Sequence, residues 1–258
     1  MNKQEQQIQW KEQWTEFTDN ERFLFEDWIY PNTLSSFDGK DVLECGCGGG
    51  QHTSFIAPHA KSVLAVDLNA TGVASQRNRD SDNIEFLEED VATMDLNRKF
   101  DIVFSIGVIH HTDEPDATVE NMKKHLLPGG RMIVWVYSLE GNWIAKNLVE
   151  RFRAVFLARS STSTLKLISR VLTFGMYIPV YTIYRLPLFF LPYFSYFENF
   201  RKLSFERNLL NVFDKLNAPQ VDFIDKTRVE HWFSDEQFSD VYIDHYRGVS
   251  WRASGTLR

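Results

Sequence analysis

The residues with the clearest chemical potential lie between positions 42 and 55, where the sequence reads VLECGCGGGQHTSF. Four glycines, two cysteines and one carboxylate separate an apolar run from the start of a predicted helix. Glycine permits backbone conformations and close approaches that side chains forbid, so this turn is suited to lie against a ligand. Three ligands match these residue types: a dinucleotide, a metal ion held by Cys45 and Cys47, or a nucleoside cofactor.

The spacing argues against the first two ligands. A dinucleotide turn has the form G-x-G-x-x-G, and the frame that starts at Gly46 has Gln51 in place of the third glycine. The two cysteines are one residue apart, which is too few ligands for a structural zinc site and poor geometry for a disulfide. We therefore predict no metal site and interpret both cysteines as small buried thiols.

The third ligand, a nucleoside cofactor, remains. The segment E-C-G-C-G-G-G from Glu44 to Gly50 has an acidic residue followed by glycine at every second position. Together with the acids described below, this segment resembles the class I S-adenosylmethionine-dependent methyltransferases of the small-molecule type, whose first strand ends in (D/E)-x-G-x-G-x-G. The resemblance implies S-adenosylmethionine as cofactor and S-adenosylhomocysteine as product. The glycines would let the backbone approach the methionine and ribose, while Glu44 would accept hydrogen bonds from the ammonium group through water.

A second acid, Asp67, ends the next apolar run, 23 residues after Glu44. The resemblance assigns the two ribose hydroxyls to Asp67 and contact with the adenine to Leu68. A third acid, Asp90, follows the run IEFLE, and the resemblance assigns to it the adenine amino group, with the backbone N–H of Val91 on the ring. Its neighbours Glu88 and Glu89 are alternatives for that contact, or they face solvent.

The fourth segment, FDIVFSIGVIHHTDEP, resembles the strand that leads to the methyl-transfer face in this family. Backbone groups of Ser105, Ile106 and Gly107 would contact the methionine end of the cofactor. The predicted cofactor-binding residues are therefore Glu44, Gly46, Cys47, Gly48, Gly50, Asp67, Leu68, Asp90, Val91, Ser105, Ile106 and Gly107.

Two adjacent histidines, His110 and His111, follow this strand. An oxygen nucleophile must lose a proton during methyl transfer, and an imidazole can accept it near neutral pH. In related small-molecule methyltransferases a histidine at this place faces the acceptor, so both are candidate catalytic residues and His111 is preferred. The alternative is a structural ion pair with Asp113, Glu114 or Asp116.

These residues require a sheet that brings successive strand ends to one edge. Short apolar runs at 41–46, 62–68, 84–90, 100–107 and 131–137 alternate with helical patterns such as HTSFIAPHA and DATVENMKKHLL. Such runs are typical of buried parallel strands joined by helices, and we expect LLPGG (126–130) to end a helix before the fifth strand. Runs at 240–246 and 249–255, separated by Arg247 and Gly248, predict an antiparallel C-terminal hairpin. The predicted fold is α/β: a doubly wound, Rossmann-like, seven-stranded, mostly parallel sheet with a helical insertion.

The same patterns divide the chain. Aromatic and apolar residues at helical spacing predict N-terminal helices in 1–36, and the methyltransferase core would comprise 37–140 and 219–258. A helical aromatic insertion would occupy 141–218 and act as a lid or acceptor region. Six basic residues and one acid lie between 146 and 170, and eleven aromatics lie between 171 and 200. Residues 146–200 are therefore predicted either to lie on an anionic membrane surface or to cover a hydrophobic acceptor. Prolines and Arg185 interrupt the apolar run, which argues against a spanning helix.

Composition limits the partners. The 258 residues carry a formal net charge of -7, which disfavours binding to a nucleic-acid backbone. The polar N-terminus has no signal-peptide pattern and the cysteines are few, so we expect a cytoplasmic protein, at most peripheral to a membrane. We predict methyl transfer to an oxygen of a small molecule that is hydrophobic or linked to a glycan or lipid; no oligomeric state is predicted. The alternatives are a nicotinamide-dependent oxidoreductase and a non-catalytic module that binds the cofactor.

Overall fold

The computed structural model describes residues 21–157, 160–217 and 221–258, and within them the chain folds around one seven-stranded sheet. The strand order is β3-β2-β1-β4-β5-β7-β6. Strands β1 to β5 pair in parallel, whereas β7 runs antiparallel to both β5 and β6. The strands are β1 (Asp41–Cys45), β2 (Ser62–Asp67), β3 (Ile84–Glu88), β4 (Phe100–Ile106), β5 (Leu126–Tyr137), β6 (Phe238–Tyr246) and β7 (Ser250–Leu257). The predicted doubly wound sheet with a C-terminal hairpin is confirmed.

Helices cover both faces of the sheet, as the nearly continuous apolar strands require. One face packs against α1 (Arg22–Ile29), α2 (Gln51–Ile56) and α3 (Thr71–Arg77). The other packs against α4 (Pro115–Lys124) and α9 (Lys226–Trp232). Of the N-terminal helices predicted in 1–36, residues 1–20 lie outside the described residues, and the rest contains α1 and a 3₁₀ turn at Leu34–Phe37.

The start of the fifth strand differs from the prediction. Helix α4 ends at Lys124, and Leu126 already pairs with Phe100, so LLPGG belongs to β5 rather than to the helix end. The next pair joins Ile102 to Arg131, so residues 127–130 form an irregularity in the strand. A proline, which lacks an N–H, and a glycine with a φ of 77° at position 129 are tolerated where strand pairing is interrupted.

A separate helical layer lies between β5 and α9. It comprises π-helical turns at Ala145–Val149 and Arg153–Leu157 around α5 (Glu150–Phe152), then α6 (Thr162–Tyr181), a 3₁₀ turn at Ile183–Arg185, α7 (Phe194–Phe200) and α8 (Phe205–Asn217). Its core joins Leu157 and Leu165 to the apolar face of α8. The backbone of Leu139 donates to Ile224 at 2.9 Å, so both ends of this layer join the sheet side by side. The predicted ends of the N-terminal helices at 36, of the first part of the core at 140 and of the insertion at 218 stay predictions.

Within the part of the chain that the structure describes, no helix is both long and apolar enough to cross a bilayer. Helix α6 ends at Tyr181, which stacks on Tyr177 with ring centroids 5.2 Å apart. Tyr184 follows in the 3₁₀ turn, outside the helix that carries Tyr177 and Tyr181.

Helix α1 packs on the sheet through one buried aromatic side chain. Phe25 is fully buried and contacts Phe104 and the imidazole of His52, whereas Phe23, on the same helix, is 36% exposed. Phe25→Ala should lower the free energy of unfolding by about 3–5 kcal/mol through the cavity it leaves. Phe23→Ala, the matched control, should lower it by less than about 1 kcal/mol. Urea unfolding measures both, and equal losses would contradict this account of α1.

Candidate active site

The site residues lie together because parallel strands end at the same edge of the sheet. Glu44 pairs with Ala65 on one side and with Phe104 on the other, so β1 lies in the middle of this edge. Asp67 ends β2 and Ser105 lies next to the end of β4. Three of the predicted segments therefore converge at the carboxyl edge, where open α/β sheets bind ligands.

The glycine turn after β1 needs its glycines for conformation. Gly46, Gly48 and Gly50 have φ values of 84°, 51° and 75°, in the left-handed region. A Cβ on Gly46 would lie 2.4 Å from the Val108 side chain, and one on Gly50 would lie 2.9 Å from Ala74. The turn thus brings bare backbone to the strand edge, next to Asp67.

Glu44 is a buried carboxyl group with one unused oxygen. It is 1% exposed, and its Oε2 accepts a hydrogen bond from Thr53 Oγ1 at 2.5 Å. Its Oε1 has no hydrogen-bond partner among the described residues, and the nearest basic atom is His52 Nδ1 at 4.0 Å. Burial raises the pKa of Glu44 to about 8, the negative charge of Asp67 adds to the rise, and the Thr53 hydrogen bond opposes it. A cationic donor at Oε1 would satisfy this oxygen and favour its ionised form.

Asp67 is held by backbone N–H groups. Its Oδ2 accepts from Gly48 N at 2.9 Å, and its Oδ1 accepts from Asn69 N at 3.1 Å and Ala70 N at 3.0 Å. These bonds fix the carboxylate between the glycine turn and the start of α3. Leu68, beside it, is 43% exposed, as a residue that lies against a ligand ring would be.

The predicted adenine residues follow β3. Asp90 is exposed, and its Oδ1 accepts from Ala92 N at 2.9 Å, which closes a local turn. Val91 is buried, and its carbonyl accepts from Asn121. Glu88 and Glu89 are also exposed, so the choice of acid for the adenine remains a prediction.

The end of β4 is tied to its neighbours. Ser105 is buried and donates to the carbonyl of Cys45 at 2.9 Å, while Ile106 is 7% exposed. The N–H of Gly107 donates to Trp135 O at 3.0 Å. The Gly107 N–H is therefore already used within the sheet. The predicted contact between Gly107 and the cofactor would use the Gly107 carbonyl.

The two cysteines are buried free thiols, as predicted. Burial raises the pKa of both thiols well above the usual range, so they are protonated at neutral pH. The Cys47 side chain packs in the core beneath the turn, so a ligand would meet its backbone. Among the residues that the structure describes, no three His, Cys, Asp or Glu side chains are grouped as metal ligands.

The two histidines occupy different environments. His110 is fully buried, and burial, with His111 and Lys215 nearby, lowers its pKa well below the usual range. The backbone N–H of Tyr137 points to His110 Nδ1 at 3.4 Å, which favours the tautomer protonated at Nε2. His110 Nε2 has no hydrogen-bond partner within the described part of the chain. His111 is half-buried, and its ring lies 4.2 Å from that of His110.

Sequence reasoning missed the residues that enclose this edge. Trp135 and Tyr137 extend from the end of β5; Tyr137 lies against the His110 ring at 4.2 Å and donates to Asp214 Oδ2 on α8 at 2.9 Å. Burial, with the charge of Asp214, raises the Tyr137 pKa well above its usual range, so the phenol stays neutral. The Lys215 ammonium lies 5.5 Å from the Tyr137 ring centre.

His52 and Thr53 were not predicted as site residues either, although they lie within the glycine-rich segment 42–55. They are the second and third residues of α2, and the helix brings them back toward Glu44. Phe25 stacks on His52 at 4.9 Å, and Trp28 contacts it edge-on at 5.9 Å. Burial lowers the His52 pKa to about 3, so this imidazole is neutral beside Glu44. No local pattern marks these contacts.

Comparison with known proteins identifies the domain. Residues 43–134 match the family described as "Methyltransferase domain". The chain is 30% identical over 129 residues to a tRNA U34 carboxymethyltransferase of Alteromonas mediterranea, covering 45% of this chain and 39% of that protein. It is 32% identical over 108 residues to a ubiquinone biosynthesis O-methyltransferase of Chelativorans sp. (strain BNC1), covering 40% and 43%. The chain thus spans less than half the length of these curated relatives.

Solved structures show the same fold over most of the chain. Magnesium protoporphyrin IX methyltransferase from Synechocystis PCC 6803, with bound S-adenosylhomocysteine, aligns with a TM-score of 0.53 over 100% of this chain and 89% of its own, at 13% identity. The N-methyltransferase NodS from Bradyrhizobium japonicum WM9, in complex with S-adenosylhomocysteine, aligns at 0.51 over 98% and 97%, at 14% identity. The chain therefore contains a methyltransferase domain at residues 43–134 and shares the fold of these solved methyltransferases.

Proposed function

We propose that this chain binds S-adenosylmethionine at the carboxyl edge of the sheet and transfers its methyl group to an oxygen of a small-molecule acceptor. The observation that carries the proposal is the unpartnered, buried Oε1 of Glu44 beneath a turn of left-handed glycines. A buried carboxyl oxygen is costly unless a donor reaches it, and the cofactor's ammonium group is such a donor. Neighbouring structures that contain S-adenosylhomocysteine support the same cofactor.

Each predicted residue then has one task. Glu44 would hold the ammonium group, the backbone of Gly46 to Gly50 would lie along the methionine and ribose, and Asp67 would accept from the ribose hydroxyls. Leu68, with Asp90 and Val91, would border the adenine. When bound, S-adenosylmethionine would supply an electrophilic methyl group on a sulfonium that leaves as a neutral thioether. The protein's contribution is alignment and exclusion of water, which can lower the barrier by about 7–11 kcal/mol.

The acceptor would lie against the aromatic side chains at the ends of α1, β5 and α7. Trp28 and Trp135 have ring centroids 4.7 Å apart, and Trp135 meets Tyr137 edge-on at 5.4 Å. The Lys215 ammonium lies 5.4 Å from the Tyr196 ring and Arg207 lies over Trp28, so cations border these rings. Such walls favour a largely apolar acceptor that carries an anionic or hydrogen-bond-accepting group.

The names of the relatives support this class of acceptor. Several are ubiquinone biosynthesis O-methyltransferases, which favours an oxygen on a hydrophobic small molecule. Others are named for tRNA, but a chain with a net charge of -7 is poorly suited to a polyanion. A nicotinamide dinucleotide is disfavoured because Gln51 stands where the dinucleotide turn has its third glycine.

The two histidines would divide the work on the acceptor oxygen. His110 is neutral and protonated at Nε2, so it would donate a hydrogen bond that positions the acceptor. His111, half-buried beside it, would accept the proton that the acceptor oxygen loses as the new carbon–oxygen bond forms. Tyr137, fixed by Asp214, would hold the orientation of the His110 ring.

Binding of the product tests the cofactor assignment. Asp67→Ala should weaken S-adenosylhomocysteine binding at least about tenfold, since it removes charge-assisted hydrogen bonds to the ribose. Asp67→Asn should bind with intermediate affinity, because it keeps one acceptor for the turn. Asp80→Ala is the matched control, since that carboxylate is 93% exposed and lies 3.8 Å from Arg79 Nε. Calorimetry decides: unchanged affinity in Asp67→Ala would refute the ribose role, and no binding at millimolar levels would refute the proposed function.

The protonation of Glu44 predicts how binding depends on pH. Its folded pKa of about 8 lies above the ordinary 4.5, so ligand-free protein holds the proton at pH 7 and loses it as pH rises through about 8. Affinity for S-adenosylhomocysteine should therefore rise by up to about tenfold per pH unit below pH 8 and level off above it. Glu44→Gln should bind more weakly, with a flatter profile. Relative to the parent, ligand-free Glu44→Gln protein should gain stability as pH rises from about 4.5 to about 8, because the carboxyl ionises in the unfolded chain before it ionises in the folded protein.

Calorimetry in two buffers of different ionisation enthalpy measures the proton released on binding. His52 does not contribute to this window, because its pKa is about 3. Binding by the parent protein without proton release at pH 7 would contradict the role given to Glu44.

Kinetics test the histidines once a panel of hydroxylated aromatic compounds has identified an acceptor. His111→Ala should lower kcat by about 100-fold or more, as expected for loss of a general base, with product affinity unchanged. The acidic limb of the pH–rate profile should disappear with it. His111→Gln keeps polarity without a base and should be equally slow, and turnover equal to the parent protein would remove His111 from the mechanism.

A further inference from the structure

Large apolar side chains are more exposed in and around the helical layer than in the rest of the described chain. Eight large hydrophobic side chains are more than 60% exposed, and all lie between positions 143 and 190: Trp143, Val155, Leu167, Val171, Phe174, Ile178, Phe189 and Phe190. Elsewhere in the described residues the most exposed large hydrophobic side chain is Tyr30, at 51%. A group of this size on one layer marks a contact surface.

The pattern on α6 shows that this exposure is organised. Leu167, Val171, Phe174 and Ile178 are spaced at i, i+4, i+7 and i+11, so they form one stripe along the helix, here called the α6 stripe. The side of α6 that carries Leu165 faces the layer's own core and packs on α8. Helix α6 is therefore apolar on two opposite sides, and the second side is unpartnered in the described structure.

The basic residues around this surface indicate what kind of partner it binds. Residues 143–190 contain seven basic residues and one acid, whereas the whole chain has a net charge of -7. Arg170 is exposed and lies one turn from both Leu167 and Phe174, beside the α6 stripe. Arg185 is also exposed, between the half-exposed Ile183 and Leu186. An apolar surface bordered by cations matches the interface of a bilayer that contains anionic lipid.

We propose that the α6 stripe, with the exposed apolar residues around 143–155 and 183–190, binds the surface of an anionic lipid bilayer without crossing it. A second copy of the chain would place the same cations opposite one another, which is unfavourable. The proposal goes beyond methyl transfer and does not depend on it. A bilayer would, however, concentrate a hydrophobic acceptor near the site.

Vesicle flotation tests the proposal with the full chain and no cofactor. The parent protein should float with vesicles of phosphatidylcholine and phosphatidylglycerol, and much less with phosphatidylcholine alone. Phe174→Glu with Ile178→Glu should abolish flotation. Ser75→Glu with Gln76→Glu, at exposed positions of α3, adds the same charge elsewhere and should float like the parent. Arg170→Gln with Arg185→Gln should weaken binding about tenfold at low salt, and the difference should shrink as salt screens the charges.

Three outcomes would overturn it: no flotation of the parent protein with anionic vesicles, equal flotation of the Phe174 and Ile178 variant, or a parent dimer that this variant converts to monomer without any vesicle binding. Light scattering reports the oligomeric state, and circular dichroism confirms that each variant is folded. Calorimetry with S-adenosylhomocysteine on the same samples keeps the two proposals separate. Flotation without cofactor binding would leave this inference standing and remove the proposed function.

Discussion

The candidate site depends on a carboxyl group buried near the end of β1, the middle one of the five parallel strands. Burying Glu44 raises its pKa to about 8, and only Thr53 provides a hydrogen bond to it from within the described residues. An isolated ionised carboxyl would be unstable here, so the ligand-free site holds it protonated. The central position of β1, the start of α2 and the packing of Phe25 on His52 all keep water from this group. The fold thus maintains a strong acceptor that a cationic ligand would complete.

The residues proposed to bind the cofactor and those proposed to bind the acceptor come largely from different parts of the chain. The matched family region ends at residue 134, just before Trp135 and Tyr137. The hydrogen-bond partner of the Tyr137 hydroxyl is Asp214 on α8, which also lies outside residues 43–134. Relatives that share only the first half would therefore share a cofactor site while differing in the walls around the acceptor. Two relatives with different named substrates each match less than half of this chain.

Much of the fold could be predicted because its signals are local. Five apolar runs, the turn at Arg247 and Gly248 and the alternating glycines each define a structure within a few residues. The start of β5 could not be predicted in this way. Leu126 pairs with Phe100 ahead of an irregular segment, and this pairing depends on the neighbouring strand. The wall residues were missed for the same reason: Tyr137 and Asp214 are far apart in sequence. No periodicity records such a contact, and only the fold brings them together.

Helix α8 connects the two surfaces for which functions are proposed. Leu209 and Phe213 pack toward α6, whereas Arg207 and Asp214, seven residues apart, lie on the opposite side toward Trp28 and Tyr137. The α6 stripe and the aromatic walls are thus separated by one helix and its apolar core. An acceptor drawn from a bilayer would have to pass beside α8 rather than through it, because that core is closed by packed side chains. Asp214 is the hydrogen-bond partner of Tyr137, so a displacement of α8 would also remove the contact that orients this side chain.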